Sequence, residues 1–236
     1  MMMGLQDTAR FAKRAVRALR GQDLWQSAQT SCETVWLGNA GARWCVCPGN
    51  LSASSIVYSF GVGEDISFDL ALMQRFGLRV HAFDPTPRSI EWLQTQTAPP
   101  EFVFHAYGIA DFDGNCTFLP PENPAHVSHR IVARESSRQA IEVPVRRLGT
   151  IMKMLRHEHI DLLKMDIEGA EYDVLADMLA QGVQVKQLLV EFHHRWPHIG
   201  VEKTKQATRA LNGAGYRIFS VSPTGEEYGF LMLHVS

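Results

Sequence analysis

The run Ile56-Val57-Tyr58-Ser59-Phe60-Gly61-Val62-Gly63-Glu64-Asp65-Ile66-Ser67-Phe68 constrains the fold more than any other stretch of the chain. It opens with apolar and β-branched residues and passes through two glycines spaced two apart. It continues with Ile66, Leu70, Met73 and Phe76 on one helical face. That is the pattern of a strand, a tight turn and a helix. Gly61 and Gly63 can take dihedrals that other residues resist, and they let a ligand approach the backbone. The helix start behind them has unpaired N–H groups. A second apolar run, Leu78-Arg79-Val80-His81-Ala82-Phe83, ends in Asp84. An acid at the tip of the second strand is where doubly wound α/β folds bind the hydroxyls of a ribose. A plain turn would use the same glycines; the pairing with Asp84 is what points to a nucleoside.

The turn also narrows which nucleoside. Counted from Gly61, the sixth position is Ile66, where a dinucleotide fingerprint needs a small residue for close helix–strand packing. Glu64 and Asp65 would repel a pyrophosphate. Two acids suit a ligand carrying positive charge, such as the ammonium and sulfonium of S-adenosylmethionine. An NAD-dependent oxidoreductase is therefore the disfavoured rival.

The rest of the chain alternates between strand and helix patterns. Residues 5–20 read as a basic helix, with Phe11, Ala15, Val16 and Leu19 on one face and Arg10, Lys13, Arg14, Arg17 and Arg20 on the other. The expectation is a solvated helix packed on the domain or on a second subunit of a homodimer, with adhesion to an anionic surface as the alternative. Thr34-Val35-Trp36-Leu37 and Arg43-Trp44-Cys45-Val46-Cys47 flank a glycine-containing turn and read as a hairpin. Its tryptophans cover a sheet edge or line a pocket. Thr86-Pro87 starts a helix, and Phe102-Val103-Phe104-His105 and Cys116-Thr117-Phe118-Leu119 read as strands. Residues 120–139 are polar and proline-rich, contain His126 and His129, and are the natural lid or substrate-selecting insert. Ala140 to Val145 contains Pro144 and reads as an edge strand. A helix over 148–157 precedes Ile160-Asp161-Leu162-Leu163-Lys164-Met165-Asp166-Ile167-Glu168-Gly169, a buried strand that delivers Lys164, Asp166 and Glu168 to its carboxyl end. Val185 to Phe192 is a further strand, ending at Glu191 before His193 and His194, and a hairpin closes the chain. Alternation of this kind implies an α/β fold with a doubly wound, mostly parallel sheet and a C-terminal antiparallel hairpin. Residues 1–236 read as one domain, with 1–50 as an N-terminal extension.

The formal net charge of −2 speaks against nucleic acid as a partner. The cysteines, Cys32, Cys45, Cys47 and Cys116, lack the paired spacing of a zinc site, and free thiols in a reducing cytoplasm are expected. No apolar run approaches the roughly 18 residues of a membrane span, and no secretory signal is visible.

Lys164-Met165-Asp166-Ile167-Glu168-Gly169-Ala170-Glu171 resembles the K-[IM]-D-[IV]-E-G-x-E signature of the FkbM-type methyltransferases. The resemblance runs from Ile56 to His234 and includes the glycine turn, Phe83-Asp84-Pro85-Thr86-Pro87 and Glu191-Phe192-His193. It implies a class I S-adenosylmethionine-dependent fold with a seven-stranded sheet. It also implies methylation of a hydroxyl on a small-molecule or glycan acceptor. The chain departs from the family at Ser59, where an acid usually stands two residues before the first glycine, and at Asp65, where a third glycine is usual. The cofactor's ammonium contact is then expected at Glu64 or Asp65, with Gly61 and Gly63 holding the methionine part. Asp84 would take the ribose, and residues from Ile109 to Asp111 the adenine.

Methyl transfer is an in-line displacement that needs positioning and the management of one proton. Asp166 ends a strand beside the expected methyl position, with helix capping as its ordinary alternative. Glu168 and Glu191 are expected to bind substrate, and Lys164 to meet the acceptor oxygen or a carboxylate. His193 or His194 is a candidate base. Asp166, Glu191 and His193 could together hold a divalent metal, although no spacing motif requires one and none is expected. A protein or nucleic-acid acceptor has no support from an Asn-Pro-Pro-Tyr-like motif. A binding module that keeps the fold without turnover is the remaining rival.

Overall fold

The structure, a computed structural model, describes residues 14–119, 130–131 and 141–233. Two short strands, β1 (Val35–Leu37) and β2 (Trp44–Val46), form the expected antiparallel hairpin. Then follow β3 (Ile56–Phe60), α1 (Ser67–Phe76), β4 (Arg79–Phe83), α2 (Pro87–Gln94) and β5 (Phe102–His105). Four short strands come next: β6 (Gly108–Ile109), β7 (Gly114–Leu119), β8 (Arg130–Ile131) and β9 (Ile141–Arg146). The chain returns through α3 (Leu148–Leu155), β10 (Ile160–Met165), α4 (Glu171–Ala180), β11 (Val185–Glu191) and α5 (Gly200–Gly213). It ends on β12 (Tyr216–Val221) and β13 (Glu227–Met232).

The main sheet has seven strands in the order β12-β13-β11-β10-β3-β4-β5. β11, β10, β3, β4 and β5 run parallel, and β13 lies antiparallel between β11 and β12. The chain winds outward from β3 through β4 to β5, then restarts at β10 on the other side. Strand order therefore reverses between β3 and β10, which is where a doubly wound sheet opens a crevice at its carboxyl ends.

Side chains alternate across the sheet. Tyr58, Phe60, Phe83, Leu163, Met165 and Val190 pack with Ile151, Leu175, Met178 and Leu211 of α3, α4 and α5. Val57, Val80, Ala82, Leu162 and Leu189 pack with Leu72 and Met73 of α1 and with Trp44 and Val46 of the hairpin. Each fully buried Leu, Ile or Phe of these layers contributes roughly 1.5–3 kcal/mol. Ser59 and Lys164, side by side in the β3–β10 register, interrupt the second layer with polar groups. No helix among the described residues is long and apolar enough to cross a membrane, and the four cysteines are free thiols.

Three expectations change. β9 is not at an edge: it lies between β6 and β7 in a separate four-stranded sheet, with Pro144 opposite Asn115. β6 reaches only Val145 and Arg146, so no strand on that flank asks Pro144 for the N–H it lacks. The segment read as one long insert is not all loop, because Arg130–Ile131 pair with Phe118 and Leu119; His126 and His129 lie outside the described residues. Arg14, expected on a solvated face, is buried. Its guanidinium donates to the carbonyls of Ser222 and Leu24 and stands over the Trp25 ring, which pins the segment after residue 14 to the closing hairpin.

Candidate active site

A cavity of about 430 Å³ opens at the carboxyl ends of β3, β4 and β10. Its size falls in the range of pockets for small organic ligands. Gly61 and Gly63 line one side with left-handed backbones, φ 78° and 58°. Gly61 also sits hard against β10: the Asp166 amide donates to the Phe60 carbonyl. A Cβ on Gly61 would lie 1.7 Å from the Asp166 carbonyl oxygen. The glycine therefore allows the two strand tips to touch, which brings the first turn and the Asp166 loop to one wall.

Asp84 lines the cavity and clamps the turn. Its Oδ2 accepts from the Gly63 amide at 2.9 Å, and its Oδ1 accepts from the Thr86 amide and hydroxyl. A carboxylate has about four lone-pair directions, so one on Oδ2 stays open to a ribose hydroxyl. Thr86 begins α2 with Pro87 at its first position, but its hydroxyl meets Asp84 and the Ser89 hydroxyl rather than capping a backbone amide. Glu64 pairs with Arg88 at 2.7 Å. Asp65 accepts from the Ser67 amide at 2.7 Å and lies near the Asn39 amide group. Ile109, Phe83 and Phe118 supply apolar lining, whereas Asp111 is exposed and off the cavity wall. Trp44 lines the cavity beside Phe68; Trp36 does not, and lies under the Arg43 guanidinium instead.

The lining continues beside the glycine turn with Asp166, Glu168, Glu191 and Glu227. Asp166 does not cap α4. No side chain caps it; Glu171, the first residue of the helix, turns its Oε1 back to accept from the Ile167 and Gly169 amides of the preceding loop. This leaves the Asp166 carboxyl at the cavity, where burial pushes it up to about 6 against the pull of Lys164. Burial, reinforced by Asp166 and Glu227, pushes Glu191 up to about 9, so Glu191 is a neutral acid near pH 7. Lys164 forms no direct ion pair with a carboxylate among the described residues. Its ammonium donates to the Phe60 and Gly61 carbonyls at 3.1 and 2.7 Å and lies 5.4 Å from the Trp44 ring centre. It braces the glycine turn from below.

The two histidines separate. His193 Nε2 lies 3.1 Å from Glu168 and 3.8 Å from Asp166, and Nδ1 lies 3.1 Å from Glu171. Burial alone would lower its pKa, but the bonds to Glu168 and Glu171 outweigh it and push the ring up to about 11. His193 thus holds its proton among three carboxylates, which favours a positioning role over that of a base at neutral pH. His194 is buried away from the cavity, with Nε2 3.0 Å from Asp23. The other oxygen of Asp23, Oδ2, accepts from both Nε and Nη2 of Arg195.

Asp166, Glu171 and His193 each bring one donor atom within 4.8 Å of the others. Glu171 thus stands where Glu191 was expected in a metal set. A divalent ion there would have to displace the His193 proton and its ion pairs. Sequence reasoning passed over Glu171, although it is the last acid of the signature. It also passed over Asp69, whose helical spacing hid a buried acid of α1 on the cavity wall.

The cavity suits S-adenosylmethionine: a glycine turn for close backbone approach, an open carboxylate lone pair at Asp84, apolar lining at Ile109 and Phe83, and acidic walls for a cation. Two curated relatives, each named "Probable methyltransferase-like protein 24", are 31% identical. The one from Rattus norvegicus aligns over 64% of this chain and 36% of its own length, and the one from Homo sapiens over 60% and 33%. The chain thus spans about a third of the length of these relatives. Among solved structures, a methyltransferase FkbM from Methylobacillus flagellatus matches with TM-score 0.47 at 15% identity, covering 77% of this chain and 44% of that one. Aeropyrum pernix fibrillarin, crystallised with bound S-adenosyl-L-methionine, matches with TM-score 0.43 at 9% identity, over 90% and 86%. The sequence profile described as "Methyltransferase FkbM domain" matches residues 56–218. That span runs from β3 into β12 and takes in the glycine turn, Asp84 and the whole Lys164–Glu171 signature, so the chain belongs to the FkbM methyltransferase family.

Proposed function

We propose that this chain methylates a hydroxyl on a small-molecule or sugar-containing acceptor, with Asp166 as the proton acceptor. The observation that carries this reading is the Asp166 carboxyl itself. It stands at the tip of β10 on the cavity wall, against Gly61, with its pKa raised to about 6. A base poised near the working pH transfers protons most efficiently. Bound S-adenosylmethionine supplies an electrophilic methyl group. The chain's own residues do the rest. Gly61 and Gly63 border the methionine part, Asp84 offers its open lone pair to the ribose, and Ile109 lies toward the adenine. Glu168 and Glu191 flank the acceptor, and Glu191, as a neutral acid, can donate a hydrogen bond to an acceptor oxygen. His193 keeps Asp166 and Glu168 in place and restrains their mutual repulsion.

The test is a panel of hydroxyl, amine and thiol acceptors, scored by formation of S-adenosylhomocysteine. With a productive hydroxyl acceptor, Asp166→Asn should lower turnover about 10²–10⁴-fold and leave cofactor affinity within about twofold. Turnover confined to amines or thiols would refute the hydroxyl assignment, and an Asp166→Asn variant with full turnover would refute the base.

A further inference from the structure

We infer that Asp69, rather than Glu64 or Asp65, receives the α-ammonium of the cofactor's methionine moiety. The inference rests on the S-adenosylmethionine reading of the cavity.

The chain has Ser59 where its family usually places an acid, and the structure leaves polar atoms there unmet. Ser59 is 1% exposed, and its Oγ has no hydrogen-bond partner. Asp69, on the first turn of α1, is 3% exposed and lines the cavity, and its Oδ1 has no partner either. A buried carboxylate oxygen left without a donor carries a large desolvation penalty. Burial accordingly raises the Asp69 carboxyl to about 6, although the Lys164 charge pulls it down. Lys164 does not relieve the carboxylate by contact. It gives two of its three hydrogens to the Phe60 and Gly61 carbonyls, and no ion pair with Asp69 forms.

The two acids nearer the glycines are committed. Glu64 is held by Arg88, and Asp65 ties the start of α1 to its own loop through Ser67 and Asn39. A ligand ammonium placed between Gly61 and α1 would give the Asp69 oxygen the charged donor it lacks. On this account the chain has moved the acid from the strand to the facing helix, keeping the charge at the same wall while Ser59 takes the strand position.

Calorimetric titration with two nucleosides tests this. S-Adenosylhomocysteine carries the ammonium; 5′-methylthioadenosine lacks it. Asp69→Asn should weaken S-adenosylhomocysteine about tenfold or more and leave 5′-methylthioadenosine unchanged. Ser59→Asp added to Asp69→Asn should recover most of the loss. Unchanged S-adenosylhomocysteine affinity in Asp69→Asn, or an equal loss for both nucleosides, overturns the assignment. Should Asp69→Asn fail to fold, the wild-type protein still reads the contact. A deaminated S-adenosylhomocysteine should bind it about tenfold more weakly or worse, and equal affinity overturns the inference. A folded wild type that binds neither nucleoside overturns the cofactor reading itself, which separates the two failures.

Discussion

Gly61 and Gly63 have the same residue type and both have positive φ, yet replacing them should have very different consequences. At Gly63 (φ 58°) a Cβ would meet nothing within 4 Å. Gly63→Ala therefore incurs only the left-handed backbone strain of an L-residue, about 1–2 kcal/mol. At Gly61 (φ 78°) the same strain applies, and the Cβ would also stand 1.7 Å from the Asp166 carbonyl oxygen and 2.8 Å from its carbon. Both are backbone atoms of a buried strand tip, so no rotamer change relieves them. Forced overpacking costs about 1–3 kcal/mol, and a contact this short belongs at the upper end, giving about 3–5 kcal/mol in all. The tips of β3 and β10 must separate, which moves Asp166 away from the glycine turn. Urea unfolding followed by tryptophan fluorescence should show Gly61→Ala losing at least about 2 kcal/mol more than Gly63→Ala. Calorimetry should show S-adenosylhomocysteine affinity lost in Gly61→Ala. Equal destabilisation of the two variants would refute the close contact as the reason for Gly61.

Two further outcomes follow from charges outside the cavity. On the α3 face of the sheet His81 Nδ1 lies 3.1 Å from His105 Nε2, and the Tyr58 hydroxyl lies 2.7 Å from His157. Burial, then the neighbouring His105 and His157, lowers His81 to about 4. Because the folded value is below the unfolded one near 6.5, the unfolded chain takes up protons that the folded cluster refuses as pH drops. Stability should therefore be whole above about pH 6.5 and fall by about 2 kcal/mol toward pH 4. His81→Phe should flatten that slope in thermal melts, and an unchanged slope would exclude the cluster as its source. Asp23→Asn should destabilise the fold by about 2 kcal/mol, because Arg195 and His194 lose a buried acceptor. Chemical denaturation checks this, and an unaltered midpoint would show the Asp23 contacts to His194 and Arg195 to be energetically idle.

What could be read along the chain was what repeats locally or sits at fixed spacing. Alternating apolar runs and helical stripes gave strands and helices nearly to the residue, as at Ile56–Phe60 and Val185–Glu191. The glycine turn, the acid after the second strand and the eight-residue signature marked the cavity's lining and the family. Sequence could not tell His193 from its neighbour His194. They are adjacent in the chain, but one backbone step turns one ring onto Glu168 and Glu171 and the other onto Asp23. Nor could it tell a catalytic Lys164 from one that braces Gly61, or foresee that β9 would be an interior strand despite Pro144. Asp69 is the plainest case. On a helix it reads as an ordinary polar residue. Only the packing of α1 over Ser59 and Lys164 buries it without a donor on the cavity wall. Local periodicity determines where elements form, because backbone sterics and hydrophobic spacing act between near neighbours. Burial and partnership are set by contacts between residues far apart in the chain, and those set the charge state and chemical role of each group.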